Sequence, residues 1–69
     1  MRTIHYTLYR EDSDFVAQCL DYDVSSFGSS EADALANLKE ALELYLEDIP
    51  ESDTLPKISH VTVGELAIA

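Results

Sequence analysis

The stretch from Ser30 to Pro50 constrains the fold most, because its apolar residues recur at a spacing that only an α-helix turns into a single face. Leu35, Leu38, Leu42, Tyr45, Leu46 and Ile49 fall on one stripe, with Ala34 and Ala41 beside it. The start of the helix is equally well marked. Ser30 stands at the N-cap, Asp33 at the third helical position where a carboxylate can serve the free backbone amides, and Glu31 at the positive end of the dipole. Pro50 cannot continue the helix and closes it.

A helix with one apolar stripe needs a flat partner, and the preceding residues supply it. Arg2–Arg10 alternates, with Ile4, Tyr6 and Leu8 on one face and Thr3, His5, Thr7 and Tyr9 on the other. Glu11-Asp12-Ser13-Asp14 has turn composition, and beyond it Phe15, Ala17 and Cys19 alternate with Val16, Gln18 and Leu20, so the two segments predict a hairpin. Asp21-Tyr22-Asp23 is a short break before a weaker edge strand at Val24–Gly28. After the helix, Glu51–Pro56 reads as a polar loop and Lys57–Ala69 as a fourth strand carrying Ile58, Val61, Thr62, Val63, Leu66 and Ile68. Strict alternation separates Val61 and Val63 from Leu66 and Ile68, which a bulge at Gly64-Glu65 would bring back into register.

This order predicts an α+β fold, βββαβ, with one antiparallel or mixed sheet of three or four strands and a single helix on one face. A right-handed crossover would bring the last strand beside the first, in parallel. One helix cannot cover both faces of the sheet, so the side carrying His5, Thr7 and Tyr9 stays bare and both edges stay open. A homodimer or higher homo-oligomer is the natural consequence. Length points the same way: a 69-residue chain is one domain, residues 1–69, and a fold of this size buries only about 60% of its unfolded surface.

Charge narrows the function. Four Lys plus Arg against fourteen Asp plus Glu give a net charge of −10, which repels phosphate backbones and argues against direct nucleic-acid binding while steering towards a basic partner. No apolar leader and no membrane-spanning run is present, which predicts a cytoplasmic protein with no membrane partner. Cys19 is the single cysteine, so no intrachain disulfide forms and a buried, inert thiol is expected.

Catalytic patterns are weak. A two-metal nuclease built on this topology would need carboxylates converging from the first strand, the helix and a later strand. Thr3–Arg10 contains none, and Glu11, Asp12 and Asp14 fall in the turn. His5 and His60 would face each other if the first and last strands paired, yet no ligand spacing fixes them as a zinc pair. Ser25, Ser26, Ser29 and Ser30 lie in a turn and cap region that uses serine for backbone hydrogen bonds. No catalytic residue, metal or cofactor is assigned, and the chain is read as a non-enzyme.

The ordered combination of these segments resembles the HicB family of antitoxins, in particular its small single-domain members. The resemblance is carried by Phe15–Cys19, by the Val-x-Ser-x-Gly segment at Val24–Gly28, by the Ser30 cap and by the helix Ala34–Leu46, ALANLKEALELYL, and it covers nearly the whole chain. It implies a partial ribonuclease H-like fold that binds and neutralises a small basic RNA-cleaving toxin of the HicA type by occluding its RNA-binding or catalytic face. Two departures stand out. Only Glu51–Ala69 follows the helix, with no C-terminal DNA-binding domain of the kind many relatives carry, and Leu20–Val24 replaces a Pro-Gly-Cys type loop.

The candidate contacts with such a toxin are Asp21, Tyr22 and Asp23 in the loop and Glu40, Glu43 and Glu47 on the helix. The three glutamates adjoin one another away from the apolar stripe, and Tyr22 is the preferred anchor because aromatic residues dominate interface energetics. Leu44 lies roughly opposite the core stripe; an isolated exposed leucine is common on a protein surface, and it could also anchor a contact. The alternative is an orphan structural or regulatory module that self-associates without a toxin.

Overall fold

The computed structural model describes residues 3–50 and 58–69. Three strands, β1 (Tyr6–Glu11), β2 (Asp14–Cys19) and β3 (Ser25–Gly28), form one antiparallel sheet in the order β1-β2-β3, followed by helix α1 (Glu31–Tyr45) and a 3₁₀ turn at Leu46–Asp48. The β-β-β-α order and the α+β class are those the sequence predicts.

The hairpin turns tightly at Asp12 and Ser13, with Asp12 in the left-handed region at φ 54° and its carbonyl accepting from Arg10 Nε at 3.0 Å. Asp tolerates that conformation better than most residues because its short polar side chain bonds locally. The register sets Leu8 opposite Ala17 and Tyr6 opposite Cys19, so the alternation of both strands converges on one face. Ala17, Cys19, Ala34, Leu38 and Leu42 are buried there, and Ile4, Leu8, Phe15, Tyr22, Val24 and Leu35 pack around them.

The helix approaches closely because the residues at the contact are small. Ala17 and Ala34 have no exposed surface, and a side chain at Gly28 would meet the Ala34 amide nitrogen at 2.7 Å and Asp33 Cβ at 2.8 Å. Gly28 is therefore what lets the end of β3 touch the first turn of α1. Ser30 caps that turn as its sequence position predicts, accepting from the Asp33 N–H at 3.1 Å, while the Asp33 carboxylate accepts from the Ser29 hydroxyl at 2.9 Å instead of serving an amide.

α1 lies over β3 and β2 and leaves β1 largely uncovered. Asn37 Nδ2 reaches across to donate to the Phe27 carbonyl at 2.8 Å, so part of the β3 edge is occupied by the helix itself. Among the described residues no such contact closes β1. The Leu20 N–H donates to the His5 carbonyl at 2.9 Å, which fixes the alternation of the antiparallel ladder: Thr7, Tyr9 and Glu11 turn their backbone groups towards β2, and Tyr6, Leu8 and Arg10 turn theirs to the open edge.

The fourth strand does not form among the described residues. Residues 58–69 carry no strand, and Val63, Leu66 and Ile68 are 88%, 90% and 89% exposed. The physical reason is that alternation measures suitability for a half-buried surface, while a strand also needs a paired edge, and this segment meets none. The parallel pairing with β1 and the bulge at Gly64-Glu65 are therefore not seen, and the expected loop Glu51–Pro56, with Lys57, lies outside the described residues. No helix among those described is long and apolar enough to cross a membrane.

Candidate partner-binding surface

The loop between β2 and β3 is built before it is available to any partner. Asp21, whose side chain is only 10% exposed, accepts the His5 N–H at 2.6 Å, and its carboxylate lies 3.3 Å from His5 Nδ1. It ties the chain just before β1 to the end of β2. Tyr22 follows, its N–H donating to Cys19 Sγ at 3.4 Å and its carbonyl accepting from the Val24 N–H at 2.8 Å. The Tyr22 ring packs on the core and meets Tyr45 edge-on, with centroids 5.6 Å apart at 63°. This aromatic pair clamps the loop to the last turn of α1.

Of the three loop residues proposed as contacts, Asp23 is exposed, while Asp21 and Tyr22 are half-buried and engaged within the fold. They share one end of the molecule with Tyr45, which is 47% exposed. Glu40, Glu43 and Glu47 are all exposed along α1 and its 3₁₀ extension, and no basic residue stands in the last helical turn. Leu44 is 66% exposed. The helix thus presents acidic side chains around one apolar residue, a composition suited to a basic surface with an apolar anchor point.

The bare face of the sheet carries a feature that single-strand periodicity does not reveal. Tyr9 stands opposite Val16, and Val16 opposite Phe27, so three apolar side chains from three strands form one row across the uncovered side. Tyr9 and Phe27 remain 44% and 67% exposed. Their place in one row depends on the pairing register, which a strand-by-strand reading does not contain.

Among the described residues, no group of three His, Cys, Asp or Glu side chains comes together at metal-binding distance. His5 is engaged by Asp21, and His60 is exposed in the unpaired segment at φ 55°. The free Cys19 thiol is buried. Comparison with known proteins identifies no matching family model, no matching curated protein and no matching solved structure.

Proposed function

We propose that the chain is a HicB-like antitoxin domain that binds a small basic RNA-cleaving toxin and covers its RNA-binding or catalytic face. The observation that carries this reading is the exposed acidic ridge Glu40, Glu43 and Glu47 on a chain of net charge −10, set on a β-β-β-α scaffold whose order agrees with the resemblance. A negative surface competes with RNA for the same basic residues, and its attraction accelerates encounter with a cationic partner. On this reading the domain has a partial ribonuclease H-like fold, works in the cytoplasm by binding and not by catalysis, and contacts the toxin through Asp23, the exposed part of the Tyr22 loop and the glutamate ridge.

Co-expression with the product of a short basic reading frame adjoining the gene tests this. A stable complex that relieves growth arrest supports the antitoxin reading; a co-expressed basic protein that neither binds nor is neutralised argues against it. The open β1 edge and the Tyr9–Val16–Phe27 row favour a second reading, a self-associating module with no toxin, which predicts homo-oligomers and no basic partner.

A further inference from the structure

Two apolar surfaces lack a cover among the described residues, and they are complementary. The first is a groove of about 300 Å³ between the open edge of β1 and α1, lined by Ile4, Tyr6, Leu35, Leu38, Leu42 and Leu46. Lys39 and Glu43 are the charged side chains in its lining. It exists because α1 sits over β2 and β3, leaving the space beside β1 unfilled. Along its side run the backbone groups of Tyr6, Leu8 and Arg10, which face away from β2 and meet no strand among the described residues, a row of donors and acceptors that a strand would complete. The second surface is the segment 58–69, whose Val61, Val63, Leu66 and Ile68 are 53%, 88%, 90% and 89% exposed. Its sequence, ISHVTVGELAIA, carries Glu65 as its one acidic side chain in a chain that has fourteen.

We propose that residues 61–68 of each chain dock as an added strand on the β1 edge of a second copy, their apolar side chains filling its groove, in a reciprocal two-fold exchange. A foreign strand would cover the groove and leave the segment bare. Exchange between two copies covers both grooves and both segments, and a two-fold contact closes without leaving a site open for a third chain. The form of the chain supports exchange over docking on its own edge. Its radius of gyration is 13.8 Å, with a longest extent of 42 Å, against about 11 Å expected for a compact chain of this length. Val63, Leu66 and Ile68 are left exposed and do not line the groove of their own chain. Low charge suits the segment to an interface between two molecules that each carry −10, because the surface that must come together is the least repulsive part of the chain. A bulge at Gly64-Glu65 would put Val61, Val63, Leu66 and Ile68 on the groove side together. The groove borders the acidic ridge at Glu43, but the exchange is argued without a toxin, and its failure would leave the antitoxin reading untouched.

Sedimentation equilibrium of the full chain should give twice the 7.7 kDa chain mass. Val63→Asp and Leu66→Asp should each raise the dimer dissociation constant at least about tenfold, since each removes roughly a kilocalorie or more of apolar burial, while leaving the circular dichroism of α1 unchanged. The wild-type chain supplies a control that needs no variant. In a mixture of ¹³C-labelled and unlabelled copies, isotope-filtered NMR should show interchain contacts from Val63 and Leu66 to Tyr6 and Leu38. Contacts confined to one chain, a monomer at millimolar concentration, or a dimer whose interchain contacts avoid the segment would each overturn the proposal.

Discussion

Asp21 shows how one side chain can be legible as important while the bond it makes within the fold stays hidden. Its acidic character and loop position mark it as a surface contact, but the fold spends its carboxylate on the His5 N–H at 2.6 Å. That use depends on two residues sixteen positions apart meeting at the end of the hairpin, which no local pattern encodes. Asp21→Ala should therefore lower the unfolding free energy of the isolated chain by on the order of 1–2 kcal/mol, and Asp21→Asn, which keeps an acceptor, by less. Urea titration followed by circular dichroism measures both; equal and negligible losses would return Asp21 to a pure surface role. Gly28 is the opposite case, visible in the sequence only as the end of a weak strand. Because the Ala34 amide and Asp33 Cβ leave no room for a side chain, Gly28→Ala should cost about 1–3 kcal/mol through displacement of the helix start, measured by the same titration. Ser30 needed no such context, since capping is a local bond between residues three apart and its signal is written in adjacent positions.

At the scale of elements, the three strands and the helix were readable because period-2 and period-3.6 alternation survive whatever the tertiary arrangement. What periodicity cannot supply is the neighbour. The segment 58–69 has the composition of a strand and forms none, because strand formation depends on an edge that this chain alone does not bring to it. The same missing information hid the Tyr9–Val16–Phe27 row, which arises from register, and the Asn37 bond that occupies the β3 edge. The Tyr22–Tyr45 clamp joins two elements and should be measurable as a coupling. A double-mutant cycle with Tyr22→Ala and Tyr45→Ala is expected to give about 0.5–1.5 kcal/mol. Strict additivity of the two losses would mean that the loop is held by its backbone bonds alone.

For the whole molecule, a small core and an excess of negative charge define the problem that association solves. Five of the described residues are buried within the chain, few for a domain that must offset the conformational entropy of folding. The net charge of −10 opposes compaction and favours a cationic companion. The acidic helix was legible from the sequence, since exposed positions on a helix follow from the core stripe. Which of its residues meet a partner was not, because contact is a property of two surfaces. A basic toxin would draw on the ridge of Glu40, Glu43 and Glu47, and the attraction should weaken with salt as exposed charges are screened over about 10 Å at 0.1 M. The most direct measurement is the RNA-cleaving activity of any small basic protein encoded beside this gene, titrated with the wild-type chain and with the Glu40→Lys, Glu43→Lys, Glu47→Lys triple variant. Occlusion by the acidic helix predicts stoichiometric inhibition by the wild type and at least about tenfold weaker inhibition by a folded triple variant; undiminished cleavage at saturating wild-type chain, or equal inhibition by both proteins, would contradict it.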